Sequence, residues 1–266
     1  MSGRVTAPPH SATPDVQQDD TPGALQGGAL AALQAEVERA GHAFVRAPAL
    51  RALITAGGRS ALADWDAFAA SWDRLVLDPY MADGGRYRRR RHAVLTAAPG
   101  SDAPALAPRQ PHYQSVDYNA LNGGIERWYQ PVEPAVLAGS TLRSVLAFAC
   151  RFFAPLRPGA GWKLELHQFR IEASAAHAGL PTPEGLHRDG VDCVLVLLVR
   201  RENVSSGTTT VHHPAGRLLG SFTLTDPLDA ALVDDARVLH GVTQVEVIDE
   251  SRPAFRDVLV ATFLRV

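Results

Sequence analysis

The residues best able to do chemistry lie in two short stretches. In Pro181-Thr-Pro-Glu-Gly-Leu-His187-Arg-Asp189-Gly-Val-Asp192 an imidazole and a carboxylate stand one residue apart, and a second imidazole, His240, follows in Arg-Val-Leu-His-Gly-Val-Thr. Two histidines and one carboxylate grip a divalent metal from one side and leave the opposite positions open. This is the donor set of non-haem Fe(II) oxygen chemistry. Zinc accepts the same donors and would activate water for hydrolysis instead. In a non-catalytic binding module, His187 and Asp189 would merely satisfy each other. A His-x-Asp pair is a weak signal alone, since this composition supplies about one by chance. Its surroundings strengthen it. The apolar run Val191-Asp-Cys-Val-Leu-Val-Leu-Leu-Val199 follows at once and predicts a strand buried on both faces. Two residues apart at the mouth of a strand, His187 and Asp189 point to the same side.

Other candidates follow from position and residue type. Arg256 opens the strand-like Phe-Arg-Asp-Val-Leu-Val-Ala-Thr-Phe263, with Val258, Val260 and Thr262 on its own face. A guanidinium at the mouth of an apolar strand is placed to fork a carboxylate. The basic run Arg86 to Arg91 splits between the two faces of a strand and has no wider positive field, so nucleic-acid binding is not expected. One of these arginines is a candidate for a substrate carboxylate. His212 and His213 point oppositely on a strand and read as a surface pair. His167 sits mid-strand, where a satisfied core histidine is the default and a place beside the metal strands is the alternative.

The elements that must position these groups are legible in outline. The chain has 266 residues, 46% hydrophobic and 20% charged, with a formal charge of −2, which supports a sizeable core and gives no general attraction to nucleic acid or anionic membrane. Cys150 and Cys193 read as inert buried thiols. No secretory or membrane-spanning segment is apparent, so a soluble, cytoplasmic protein is expected, with homo-oligomerisation left open. Residues 1–28, rich in Pro, Gly, Ser and Asp, predict a flexible tail, and 29–266 a single domain. Within it a helical shoulder spans 29–75. Helices are expected over 29–40 (ending at Gly41), 47–56, and from Ser60 with Leu62, Trp65, Phe68 and Trp72 on one stripe. From about 86 to 266 the texture is that of many short strands: 86–95, 112–119, 162–171, 191–200, 207–213, 217–225, 236–240, 242–248 and 255–265. A long amphipathic helix over 133–153 interrupts them. The class is α+β, mainly β, with a jelly-roll core buttressed by N-terminal and central helices.

From about residue 72 onward the chain resembles the bacterial 2-oxoglutarate/Fe(II) dioxygenases that hydroxylate free L-amino acids, the L-isoleucine hydroxylases among them. The resemblance rests on ordered blocks: Asp78-Pro-Tyr80 with Arg86-Tyr-Arg-Arg89; Gln114-Ser and Tyr118-Asn119, then Gly123-Gly-Ile-Glu-Arg127; His167-Gln-Phe-Arg170; the 181–192 segment; Asp234-Asp-Ala-Arg-Val-Leu-His240; and Arg256-Asp-Val-Leu-Val. Ser205-Ser-Gly-Thr208 departs from the pattern where a glycine pair is expected, which affects a turn. The resemblance implies a double-stranded β-helix (cupin-like) core, with Fe(II) on His187, Asp189 and His240, and Arg256 gripping the distal carboxylate of the cosubstrate 2-oxoglutarate. It also implies hydroxylation of an unactivated C–H of a free, isoleucine-like amino acid with O2, giving succinate and CO2. A carboxylate at 189 favours hydroxylation over halogenation, which needs a small residue there to admit chloride. The block positions suggest Arg86, Gln114, Asn119, Arg127 and His167 for the polar substrate head.

Overall fold

In the computed structural model, residues 22–56, 58 and 60–266 are described. Most of the expected tail, residues 1–21, lies outside them. The helices are α1 (Pro22–Ala40), α2 (Ala47–Thr55), α3 (Trp65–Ala70), α4 (Pro134–Ala138) and α5 (Ser140–Phe153). The strands are β1 (His42–Val45), β2 (Val76–Leu77), β3 (Arg88–Ala97), β4 (Ala105–Leu106), β5 (Trp162–Ala173), β6 (Cys193–Glu202), β7 (Val204–Ser206), β8 (Thr208–His212), β9 (Leu218–Thr223), β10 (Ala230–Asp234), β11 (Leu239–Val242), β12 (Val245–Val247) and β13 (Ala254–Arg265). A large antiparallel sheet runs β1-β10-β6-β13-β5-β3-β2, with β4 on β3. Against it lie the smaller sheets β11-β8-β9 and β12-β7. This is a double-stranded β-helix, mainly β, with helices on its outer face. Among the described residues no helix is long and apolar enough to cross a membrane.

The period of two along each strand sorts the core. On β6, Cys193, Leu195, Leu197 and Val199 join the helices in one cluster, together with Leu259, Ala261 and Phe263 of β13 and Leu164 and Leu166 of β5. Helix α5 contributes Phe148, Phe152 and Phe153, all essentially unexposed; burying each such side chain is worth about 1.5–3 kcal/mol. The opposite face of the same strands, Val194, Val196, Val258, Val260 and Thr262, turns toward the small sheets and a cavity. As its residues predict, β6 is buried on both faces along most of its length.

Several expectations need correction. Helix α1 begins at Pro22, so the predicted tail is helical over its last residues. The segment 112–119 is not a strand: it forms turns, with Tyr118 and Asn119 N–H both donating to the Ser115 carbonyl. Strands β1 and β10, which pair with each other, were not expected, because each is a short apolar stretch with no alternation to mark it. The aromatic stripe packs as expected, but 60–64 is a turn, and α3 starts only at Trp65. The helix expected over 133–153 is broken at Gly139, whose backbone is extended (φ −65°, ψ 148°). Asp64 packs against the break so closely that only a glycine fits at 139. Instead of capping its own helix, Asp64 accepts from the Thr141 N–H at 2.7 Å and the Ser140 hydroxyl at 2.8 Å, capping α5.

That cap should be visible in stability. Burial alone would raise the Asp64 pKa, but the Thr141 and Ser140 hydrogen bonds hold it down, at about 2. A depressed carboxylate contributes stability above its unfolded pKa and loses it as pH falls toward the folded one. Asp64→Ala is expected to cost about 1 kcal/mol near neutrality. Its deficit relative to the wild type should shrink between pH 4 and pH 2 in thermal melts followed by circular dichroism. A deficit independent of pH would show that Asp64 acts by packing alone.

Candidate active site

His187 and His240 are brought together by a two-residue antiparallel bridge. The His187 N–H donates to the His240 carbonyl at 3.0 Å and the reverse bond is 2.9 Å, so both side chains fall on one side with ring centroids 4.6 Å apart. The metal motif thus precedes β6 rather than opening it, and the bridge does what the strand was expected to do. Gly190 turns the chain at φ +80°, with the ring of Tyr118 so close that a Cβ would meet it at 2.6 Å. Asp235, just after β10, holds the turn. Its carboxylate accepts from the N–H groups of Asp189, Gly190 and Val191 at 3.0, 2.9 and 3.2 Å.

The donor atoms of His187, Asp189 and His240 lie within 4.8 Å of one another. The separations His187 Nε2–Asp189 Oδ1, 3.7 Å, and His240 Nε2–Asp189 Oδ2, 3.5 Å, are long for hydrogen bonds and leave room for a cation between them. Outer contacts set the tautomers a metal requires. His187 Nδ1 lies 3.0 Å from the Gly185 carbonyl, which can only accept, so in the neutral, metal-binding ring the hydrogen sits on Nδ1 and Nε2 carries the lone pair. His240 Nδ1, buried and without a partner, faces the Asp235 carboxylate at 3.6 Å, which biases it the same way. Burial would push Asp189 up, but the two imidazoles hold it well below the usual carboxylate range. Burial would likewise lower His187, yet Asp189 and Glu184 raise it to about 9. The trio is built around a positive charge, and its donors fit Fe(II).

The triad opens into a cavity of about 390 Å³. At another part of its wall lies Arg256, 2% exposed, with neither Nε nor Nη2 partnered. Burial, with the nearby Arg201 charge, lowers its pKa to about 10. A buried guanidinium with open donors demands an anion. As expected, Val258, Val260 and Thr262 line the cavity with it.

Of the five residues suggested for the substrate head, four reach this cavity. The 112–127 loop is closed by paired backbone bonds between His112 and Arg127 (3.0 and 2.9 Å). Arg127, 1% exposed, donates to Gln114 Oε1 at 3.0 Å, and Asn119 Nδ2 donates to the same oxygen at 3.3 Å. That orients the Gln114 amide, whose Nε2 approaches the Asp189 carbonyl at 3.3 Å and Oδ1 at 3.4 Å. His167 lines the wall from β5. Arg86 does not belong with them. It precedes β3, so the strand's alternation does not reach it, and it borders a separate surface depression with Tyr87 and Glu172. Arg88 and Arg90 take the cavity instead. Arg88 is paired with Asp78 at 2.7 Å, and Arg90 packs over the Tyr129 ring at 3.6 Å. Sequence reasoning gave no role to Glu184, His112 or Glu165 and left Arg90 as one of a run of arginines; its place beside His167 and Glu165 emerges only when β3 pairs with β5.

A family profile described as 2OG-Fe dioxygenase matches residues 69–262. An L-isoleucine-4-hydroxylase of Bacillus thuringiensis is 27% identical over 156 residues, 57% of this chain and 64% of that enzyme. The chain therefore spans somewhat under two thirds of that relative. A 3(1)-hydroxy-L-isoleucine 4-dioxygenase of Pantoea ananatis is 24% identical over 85% of this chain and 93% of that enzyme. The crystal structure of a bsmA homolog from Methylobium petroleophilum PM1 superposes with a TM-score of 0.79 at 35% identity, covering 88% of this chain and 92% of that one.

Proposed function

The chain belongs to the 2OG-Fe dioxygenase family, and from this premise we propose that it hydroxylates an unactivated C–H bond of a free, isoleucine-like L-amino acid, converting O2 and 2-oxoglutarate to succinate and CO2. The observation that carries this reading is one cavity holding both a two-histidine, one-carboxylate triad and a buried arginine with no anion of its own. His187 Nε2, Asp189 and His240 Nε2 would hold Fe(II), and Arg256 the distal carboxylate of 2-oxoglutarate. Iron and cosubstrate together supply the oxygen-activating, two-electron chemistry. The protein supplies placement. Gln114, fixed by Arg127 and Asn119, steadies Asp189 and keeps that carboxylate aimed. Arg127 and its loop face the substrate side, and the valines of β6 and β13 give the target carbon a dry, shaped surface. A small-molecule substrate suits a cavity of this size. Neither a zinc hydrolase nor a binding module gains support from the relatives above.

The direct test presents the twenty L-amino acids, each with Fe(II), ascorbate and 2-oxoglutarate, and follows products by mass spectrometry. At least one is expected to gain a single oxygen with matching succinate. Succinate release that no amino acid stimulates, with no oxygenated product, would remove the proposal.

A further inference from the structure

One wall of the cavity lies outside the iron triad and Arg256. There β3 and β5 carry His92, Glu165 and His167, and the 112–127 loop lays His112 against them, so that ligating atoms of all four lie within 4.8 Å of one another. Such a cluster invites a second metal, but its hydrogen bonds argue otherwise. Arg90 Nη2 lies 2.7 Å from His167 Nδ1. A guanidinium only donates, so Nδ1 accepts and the imidazole hydrogen sits on Nε2, which cannot then ligate. Glu165 already accepts from His112 Nδ1 at 2.6 Å and His92 Nε2 at 3.1 Å on one oxygen, and from Lys163 at 3.0 Å on the other. Arg90 and Lys163 also set two cations against the cluster, where they oppose a dication.

The same bonds fix what the wall presents. His167 shows an Nε2–H whose nearest carboxylate oxygen, on Glu165, is 4.0 Å away, too far for a hydrogen bond. His112, having given its Nδ1 hydrogen to Glu165, keeps a lone pair on Nε2. Burial lowers the pKa of both imidazoles, that of His112 to about 4, so both rings are neutral. They meet edge to face with centroids 4.8 Å apart, and both line the cavity. We propose that this donor and acceptor are a substrate subsite, and that the side chain of the amino acid carries a neutral hydrogen-bonding group, a hydroxyl or a carboxamide, that accepts from His167 and donates to His112. This rests on the hydroxylase reading above and replaces its isoleucine-like side chain with a polar, neutral one. A carboxylate at this wall would face Glu165, while Arg90 and Lys163 are already engaged with His167 and Glu165. An ammonium would face the His167 N–H and the charges of Arg90 and Lys163. A neutral group with both a donor and an acceptor matches what is left open.

The experiment measures binding to the anaerobic protein loaded with Fe(II) and 2-oxoglutarate, using three near-isosteric pairs: L-valine and L-threonine, L-leucine and L-asparagine, L-norvaline and L-homoserine. In at least one pair the polar member is expected to bind about tenfold tighter or more, because a site built to pair with a polar group rejects the analogue lacking it. His167→Phe should erase that preference. His167→Gln, which restores an N–H donor, should keep most of it, and His112→Leu should weaken it independently. The 2-oxoglutarate affinity should not change in any of the three. Equal or apolar-favouring affinities in all three pairs, or a preference that survives His167→Phe, would overturn the inference. So would a second equivalent of bound divalent metal that is lost in Glu165→Gln. Because binding is read without turnover, a failure to hydroxylate any amino acid counts against the proposed reaction, while the affinity ratios still judge the subsite.

Discussion

Replacing Arg256 with methionine is expected to weaken 2-oxoglutarate binding by roughly 10²- to 10⁴-fold while making the ligand-free protein more heat-stable. The two halves share one cause. Arg256 is 2% exposed, and Nε and Nη2 have no partner. Removing one member of a buried, hydrogen-bonded ion pair costs about 3–5 kcal/mol, the source of the expected loss in cosubstrate affinity. Without the anion the guanidinium has been desolvated for nothing, and an apolar side chain of similar length ends that penalty. The lowered pKa, about 10, expresses the same thing: burial and Arg201 disfavour the charged form. Because the folded pKa lies below the unfolded one, the cost is present throughout the neutral range and fades only as pH rises past about 10. Melts with and without 2-oxoglutarate separate the effects. The wild type should gain stability on adding it, and the variant should start higher and gain little. A variant that melts lower and still responds to the cosubstrate would show that Arg256 is a structural residue.

His187→Ala or His240→Ala is expected to abolish both iron retention and turnover, a loss exceeding the roughly 100-fold that follows from disturbing a ligand's orientation alone. The fold should survive. The bridge joining these two residues is made by backbone atoms, which alanine keeps, and Asp235 continues to hold the 189–191 turn. Metal analysis and circular dichroism on each variant check the two halves. Full activity in either variant would sink the metal assignment, and loss of fold would move the histidines from chemistry to structure.

Residue type and local spacing made part of the site readable. His187, Asp189 and His240 were visible because a metal needs particular donors, and Arg256 because an arginine beside an apolar strand needs a reason. The apolar run behind Asp189 marked β6 for the same kind of reason: a strand buried on both faces has to be apolar throughout. Other features fell short. The polar–apolar alternation of 162–171 marks a half-buried strand but not what its polar face meets. Its polar face, with Glu165 and His167, forms a wall of the buried cavity, and a period of two cannot distinguish water from an enclosed polar site. Residues 133–153 have an unbroken helical pattern, yet they break at Gly139, where Asp64, far away in sequence, caps the second helix.

The sequence by itself marked the strand-rich core and, as candidates, the three metal donors and Arg256, because these depend on residue chemistry and local period. Only the tertiary structure decided which arginines face the cavity and how four separate side chains meet at one wall. It excluded Arg86, seated Arg90 against His167, and through the β3–β5 register set His92 opposite His167. The physical reason is that antiparallel pairing joins residues remote along the chain, and a shift of one position in register would turn every one of them to the other face.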